Sequence, residues 1–190
     1  MNPVLTLDHV SYSYHTPSGE TPALKDVSFS VRPGSFTSIA GPSGCGKSTL
    51  LSLIAGLITP EKGCIRFYKS DAMPAAARIG YMLQHDTLLE WRTIYKNILL
   101  GLEVTHQCTE QKKRLAADMM HDYGLASFKN AHPSELSGGM RQRAALIRTL
   151  VLEPDILLLD EPFSALDYQT RLEVSDDIFR IILSLIHISE

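Results

Sequence analysis

A glycine-rich segment at residues 41–49 constrains the fold of this chain more than any other feature of its sequence. It reads Gly-Pro-Ser-Gly-Cys-Gly-Lys-Ser-Thr, follows a short β-prone run at 36–40 and precedes a run of helical composition at 48–56. A strand, a glycine-rich turn and a helix in this order make a phosphate-binding loop, because backbone N–H groups and the positive end of the helix surround phosphate oxygens. The sequence therefore predicts an α/β fold with a phosphate site after one of its strands.

Two side chains of this loop have the chemistry that a nucleoside triphosphate requires. Lys47 supplies a positive charge to the β- and γ-phosphates, and the Ser48 hydroxyl supplies an oxygen ligand for Mg²⁺. The other residues of the loop are predicted to line the phosphate site: Gly41, Pro42, Ser43, Gly44, Cys45, Gly46 and Thr49.

Two carboxylates end an apolar run that is typical of a strand buried on both faces. The run occupies 155–159, and Asp160 and Glu161 follow it. Adjacent acids are common at strand ends, so the pair is informative only together with the loop upstream. One carboxylate can hold the Mg²⁺ shell and the other can polarise an attacking water. We assign the first role to Asp160 and the second to Glu161.

A second candidate anion site lies at 136–143, which reads Leu-Ser-Gly-Gly-Met-Arg-Gln-Arg. The segment is a loop that leads into an amphipathic helix at 140–150, and it places Ser137, Gly138 and Gly139 at the helix start, where backbone N–H groups lack partners within the helix. One chain does not need two phosphate sites for one triphosphate. We therefore predict that this site serves ATP held by another subunit.

With these segments in place, the chain resembles the ATP-binding subunit of ATP-binding-cassette (ABC) transporters, from about residue 4 to residue 182. The family's Walker A loop is similar to 41–49 and its signature motif to 136–142. Its Walker B strand is similar to 156–161 and its D-loop to 164–167. The order and spacing of these motifs make the resemblance specific.

The resemblance extends to three further residues. Gln84 follows a strand-like run at 79–83 and is similar to the Q-loop glutamine, which in the family senses Mg²⁺ and contacts the permease. Tyr14 is similar to the aromatic residue that stacks on adenine, with Tyr12 as the alternative. Asp167 ends the D-loop stretch and is included in the nucleotide site.

The resemblance implies a head-to-tail dimer with two ATP molecules at its interface. Each ATP would meet Lys47, Ser48, Gln84, Asp160 and Glu161 of one subunit and 137–139 of the other. Lys47, Gln84 and Glu161 would be catalytic, and the metal ligands would be Ser48, Gln84 and Asp160. The implied partners are transmembrane permease subunits and, indirectly, an external solute-binding protein.

The implied fold is an α/β P-loop NTPase core with an N-terminal antiparallel β subdomain. Alternating runs at 4–7 and 27–31, separated by a turn-rich stretch at 15–22, supply the strands of that subdomain. A helical subdomain at about 86–140 is inserted in the core, since the pattern is helical from about 93 to 121.

A stretch at 88–94, Leu-Leu-Glu-Trp-Arg-Thr-Ile, indicates a subgroup. In nitrate, sulfonate and taurine importers a similar stretch follows the glutamine and faces the permease, although proline often occupies the place of Glu90. The alternative interpretation is that Trp91 is a packing residue at a helix start. The first interpretation implies an importer of small organic or inorganic anions.

Composition limits the setting. The net charge of −3 gives no basic footprint for nucleic acid. No signal peptide begins the chain, no apolar run approaches the roughly 20 residues of a spanning helix, and three cysteines without CxxC spacing favour a reducing compartment. Together with the resemblance, this implies a peripheral protein on the cytoplasmic face of a bacterial membrane.

The chain departs from the family after Asp167, where a helix and then a strand ending in a histidine are expected. A helical pattern at 170–180 leads instead into 183–190, where His187 lies in the wrong context for that histidine. These last eight residues coincide with a translated sequencing adapter. We therefore expect a cassette over 1–182 with its last core strands missing and a non-native tail. The alternatives are a non-catalytic nucleotide-binding fragment and an ABC ATPase outside transport.

Overall fold

The computed structural model describes residues 2–17, 19–68 and 76–161, and the chain divides into two units, Met1–Ala77 and Arg78–Glu190. Three predicted features lie outside the described residues: Asp167, the helix at 170–180 and the tail at 183–190. Every helix in the described part of the chain is too short or too polar to span a bilayer.

A three-stranded antiparallel sheet lies in the first unit and confirms the predicted β subdomain. Its strands, in the spatial order β2-β1-β3, are β1 (Leu5–Thr16), β2 (Gly19–Val31) and β3 (Lys62–Phe67). Along β1 the apolar side chains Leu5, Leu7 and Val10 are buried, while Asp8 and His9 are exposed. This sheet therefore has one buried apolar face and one solvent-exposed face, as antiparallel sheets commonly do.

The turn-rich stretch predicted at 15–22 is mostly strand. β1 and β2 remain paired as far as Thr16 and Gly19, and the Thr16 hydroxyl donates to the Gly19 carbonyl at 3.0 Å. Pro22 fits within β2 because β2 is an edge of this sheet, where a missing N–H costs no ladder bond. Cross-strand pairing thus overrides the local turn preference of these residues.

A bulge interrupts β1 at His9, whose φ is +52°. His9 donates its N–H to the Ser28 hydroxyl at 2.8 Å, and its Nδ1 lies 2.6 Å from Asp26 Oδ1. Gly63 on β3 passes so close that a Cβ there would lie 2.3 Å from the carbonyl oxygens of Asp8 and His9. Only glycine fits this approach, so Gly63 and the bulge together fix the register of the sheet.

The strand predicted at 36–40 is wrong for the structure as described, which gives these residues no strand. Phe36 and Ile39 are 61% and 37% exposed, respectively. Among the described residues, the sheet of this unit is built from β1, β2 and β3. A β-prone composition alone does not specify the cross-strand pairing that a strand requires. The helix predicted next forms as α1 (Lys47–Ile54), and Gly56 follows it with φ +72°.

In its described part, the second unit joins a parallel pair of strands to helices. In chain order these are β4 (Ile79–Met82), α2 (Ile94–Val104), α3 (Glu110–Asp122), α4 (Gly138–Leu150) and β5 (Ile156–Leu159). Short 3₁₀ turns at Ala126–Phe128 and Pro133–Glu135 lie between α3 and α4. The predicted strands and helices are confirmed, while the bounds of the helical subdomain stay a prediction.

One expectation about β5 is wrong. Leu158 is its only buried residue, and Ile156, Leu157 and Leu159 are half-buried. Among the described residues the sheet has two strands, β4 and β5. The continuous apolar run correctly indicated a strand, but its burial depends on neighbours that composition does not reveal.

The core of the second unit is formed by apolar side chains that α2, α3 and α4 bring together. Its fully buried members include Ile94, Ile98, Leu102, Met120, Leu146, Ile147 and Leu150. Each helix begins at a hydroxyl cap, because the side chains of Thr93, Thr109 and Ser137 accept from backbone N–H groups of the first turn. Burial of one such leucine or isoleucine contributes about 1.5–3 kcal/mol to the stability of the fold. This core therefore holds α2, α3 and α4 in fixed positions.

A buried asparagine organises the segment before α2. Asn97 donates through Nδ2 to the carbonyls of Leu89, Arg92 and Thr93 at 3.0–3.1 Å, and its Oδ1 accepts from the Leu89 N–H at 2.7 Å. The side chain is fully enclosed. One residue therefore closes the loop at 89–93 onto the first turn of α2.

We expect Asn97→Ala to lower the free energy of unfolding by about 2–4 kcal/mol, because buried backbone groups lose their partners. Denaturant unfolding measures the change. The exposed Asn130 provides a matched control, and Asn130→Ala is expected to change the free energy by less than about 0.5 kcal/mol. Equal effects of the two substitutions would contradict the role given to Asn97.

The bulge in β1 predicts a pH effect. A hydrogen bond that the His9 imidazole donates to Asp26, and the charges of Asp26 and Asp8, raise the pKa of His9 above 6.5. His9 therefore stabilises the folded state below pH 6.5, and this contribution is lost as pH rises through the folded pKa. In Asp26→Asn, NMR titration of the imidazole should show a lower pKa, and Asp8→Asn should lower it less. An unchanged His9 pKa in Asp26→Asn would contradict this account.

Candidate nucleotide-binding site

The phosphate loop lies in the first unit and depends on two glycines with left-handed backbone. Gly44 and Gly46 have φ of +80° and +96°, a conformation that other residues rarely adopt. A Cβ on Gly46 would also lie 2.6 Å from the Ala23 carbonyl oxygen. These glycines fold the exposed loop back on itself so that it ends at the N-terminus of α1, where the helix dipole favours an anion.

Lys47 is the first residue of α1, and its side chain folds back over the loop. Its Nζ donates to the carbonyls of Gly41 at 3.0 Å and Pro42 at 3.1 Å. The ammonium group is thereby held at the loop, where a phosphate would need a positive charge. Ser48 follows it in the first turn and is exposed, while Thr49 is buried.

Tyr14 is tied to the same helix. Its hydroxyl lies 3.1 Å from Thr49 Oγ1, and its ring meets the edge of Tyr12 with centroids 5.1 Å apart. Tyr14 is 44% exposed whereas Tyr12 is half-buried, so Tyr14 has the more open ring of the two alternatives. A flat aromatic surface beside a phosphate loop suits a purine base.

The second unit brings together three of the predicted site residues. The paired strands β4 and β5 run parallel, so their carboxyl ends meet at one edge, where Gln84, Asp160 and Glu161 follow. Gln84 Nε2 donates to Glu161 Oε2 at 3.4 Å. Asp160 is buried, accepts from the Tyr81 hydroxyl at 3.4 Å and donates its N–H to the Met82 carbonyl at 3.0 Å. The role of Tyr81 had no signal in the sequence, because it depends on strand pairing.

This edge suits Mg²⁺ chemistry. Mg²⁺ usually takes one or two carboxylates together with phosphate oxygens and several waters, so Asp160 and the Gln84 amide oxygen are a fitting donor set. Within the described residues, no group of three or more His, Cys, Asp or Glu side chains could hold a metal by itself. The donors present thus fit a metal that arrives with a phosphate ligand, and not a closed protein cage.

The segment at 137–139 forms the beginning of α4. Ser137 caps the helix by accepting from the Met140 N–H at 3.4 Å, and Gly138 and Gly139 are its first two residues. Ser137 and Gly138 are exposed. This helix start carries no bulky side chain, and the helix dipole is positive there. It is therefore able to bind an anion that belongs to another molecule.

A charged cluster that the sequence did not predict links α4 to the residues after Gln84. Arg141 donates to both carboxylate oxygens of Asp86, from Nε at 2.8 Å and from Nη2 at 3.2 Å. Arg148 donates to the carbonyls of Asp86 at 2.8 Å and Thr87 at 2.9 Å, and to the Thr87 hydroxyl at 2.9 Å. The partners are more than 50 residues apart in sequence, so no local pattern reveals them.

Electrostatics and backbone conformation show how firmly this cluster is held. Burial raises the pKa of Asp86, but hydrogen bonds from Arg141 and the Leu88 N–H, with the charges of Arg141 and Arg148, outweigh it and keep the pKa below its usual value. Thr87 has φ +48°, a conformation that costs about 1–3 kcal/mol and persists only where the surrounding structure holds it. The three bonds from Arg148 supply that support.

Trp91 does not pack at the start of α2. Its side chain is 76% exposed. The alternative interpretation, that Trp91 is a packing residue at a helix start, is therefore wrong. Asn97, at the first turn of α2, performs the structural role in this segment.

The chain is similar to a known protein family and to known proteins. A family model described as "ABC transporter" matches residues 24–164, more than half of the chain. An uncharacterized ABC transporter ATP-binding protein of Bacillus subtilis is 48% identical over 93% of this chain and 68% of its own length. A taurine import ATP-binding protein of Yersinia pestis is 43% identical over 82% of this chain and 61% of its own length.

A solved structure agrees with the sequence relatives. It is a dimeric ATP-binding cassette in a post-hydrolysis state bound to ADP and Pi, with a TM-score of 0.78 and 30% identity, covering 94% of this chain and 82% of that one. The chain spans only about two thirds of the length of the two relatives.

Proposed function

The chain belongs to the ABC transporter family, and we propose that it is the ATP-binding and ATP-hydrolysing subunit of an importer. The observation that carries this proposal is the contact between Gln84 and Glu161 beside the buried Asp160. A glutamine amide and two carboxylates at one strand edge are suited to hold a metal shell and to activate water.

Each group has a distinct chemical role. Lys47 and the backbone of the phosphate loop would bind the triphosphate. The Ser48 hydroxyl, Asp160 and Gln84 would hold Mg²⁺, which would supply positive charge at the phosphates. Glu161 orients the attacking water and accepts its proton. The open ring of Tyr14 stacks on the adenine base. Asp167 is assigned to the same site from the sequence alone.

The segment at 137–139 is assigned to a second subunit's nucleotide. The exposed start of α4 supports this assignment, since it has room for a phosphate from another molecule. Two chains arranged head to tail would thus close over two ATP molecules and reopen after hydrolysis. The post-hydrolysis neighbour is itself a dimer.

The transport partners are assigned from the segment at 88–94. Trp91 is largely exposed on a loop that Asn97 holds rigidly, an arrangement suited to contact with a transmembrane permease subunit. We assign the protein to the cytoplasmic face of the membrane and its cargo to small anions of the nitrate, sulfonate and taurine type. An external solute-binding protein would act through the permease.

The substitution Glu161→Gln tests the proposal. It keeps the shape of the side chain but removes the base, so bound ATP should persist and hold the dimer closed. Light scattering coupled to size-exclusion chromatography should show the mass doubling when MgATP is added. In the same background, Lys47→Ala should keep the protein monomeric because ATP binding is lost. A Glu161→Gln protein that stays monomeric at saturating MgATP would refute the scheme.

A further inference from the structure

We propose that Asp86, Arg141 and Arg148, here called the arginine clamp, position Gln84 relative to the start of α4 and are required for turnover but not for ATP affinity. The clamp lies outside the nucleotide motifs and acts through them, so its members are positioning residues. The inference rests on the proposed function, because it takes Gln84 and 137–139 as nucleotide-contacting groups.

The Asp86–Arg141 pair fixes the relative orientation of the two side chains as well as the distance between them. Two donors of one guanidinium, Nε and Nη2, bond to the two oxygens of one carboxylate at 2.8 and 3.2 Å. Both side chains are more than two thirds buried, so the pair is less screened than a surface ion pair. A planar two-point contact resists rotation, and it therefore orients the backbone that carries Asp86.

Arg148 holds that backbone directly. Its guanidinium donates to the carbonyls of Asp86 and Thr87 and to the Thr87 hydroxyl at 2.8–2.9 Å. Thr87 is kept in the left-handed region, at φ +48°. A β-branched residue leaves that region when its support is removed, so loss of the clamp should let the segment after Gln84 change conformation.

The same helix connects the clamp to the second phosphate site. Arg141 lies one turn after Ser137 and donates its N–H to the Ser137 carbonyl at 3.0 Å. Asp86 lies two residues after Gln84. The clamp thus joins the glutamine that serves a subunit's own ATP to the helix start that serves the partner's ATP.

This placement predicts which kinetic quantity changes. The phosphate loop and Tyr14 belong to the first unit, whereas the clamp lies within the second. Loss of the clamp should therefore leave nucleotide affinity intact while misplacing groups needed in the transition state. A loss in kcat at constant KM, with the number of nucleotide sites per chain unchanged, is the signature of such an effect. A general loss of folding would lower that number together with the apparent kcat.

The experiment compares Asp86→Asn, Arg141→Gln, the double variant and the conservative Asp86→Glu in the full chain. Steady-state MgATP hydrolysis gives kcat and KM, and fluorescent trinitrophenyl-ATP gives the nucleotide Kd. We expect each single variant to lower kcat about tenfold with Kd within about twofold, and the double variant to lose no more than either single one. Asp86→Glu should recover most of the activity because it restores the pair.

The matched control is Glu110→Gln, which removes an exposed ion pair with Lys113 on α3 at 2.8 Å. It should leave kcat unchanged. If the kcat losses of the two single variants multiply in the double variant, the proposal is overturned. A fall in nucleotide affinity as large as the fall in kcat would also overturn it.

Hydrogen exchange separates failure of the clamp from failure of the proposed function. If wild type neither hydrolyses MgATP nor loses nucleotide affinity on Lys47→Ala, the proposed function fails. The clamp itself is then tested in the nucleotide-free chain, where amides of 84–88 should exchange at least about tenfold faster in Asp86→Asn than in wild type. Unchanged exchange there would overturn the clamp whatever the ATPase result.

Discussion

The burial of α4 is the interaction on which the second unit depends. Eight of its thirteen residues are buried, and its apolar side chains join those of α2 and α3 in one core. The helix cannot shift without opening that core, which is close-packed and costly to disturb. Ser137 at its beginning and the half-buried Arg141 and Arg148 are consequently held in place by packing that does not depend on nucleotide.

Strand register places the remaining polar groups. β4 and β5 pair so that Met82 lies opposite Leu159, and this pairing brings the residues that follow both strands to one edge. A slip of one residue would turn every side chain to the opposite face and separate Gln84 from Glu161. The apolar core and the sheet register together bring Gln84 to the adjacent pair Asp160 and Glu161, while left-handed glycines shape the phosphate loop.

The sequence predicted the parts whose physics is local. Gly44 and Gly46 are needed by a tight loop, Ser137 lies at a helix start, and Asp160 follows an apolar strand, so composition and spacing were sufficient. The helix begins at Gly138 and not at Met140 as expected, because Ser137 caps it. The strand expected at 36–40 is not a strand in the structure as described, and composition alone does not specify the cross-strand pairing that a strand requires. The ion pair between Asp86 and Arg141 could not be predicted either, since it arises only after helix packing joins residues far apart in the chain.

Mixing two defective chains tests the central claim that each ATP site is built from two subunits. In a Glu161→Gln background, one chain carries Lys47→Ala and the other Gly138→Glu, a change that keeps a favourable charge for the helix dipole but repels phosphate. Each chain alone should stay monomeric with MgATP, measured by light scattering. An equimolar mixture should form a dimer, because one heterodimer site has both an intact loop and an intact helix start. A mixture that remains monomeric, or a Gly138→Glu chain that dimerises alone, would contradict the account.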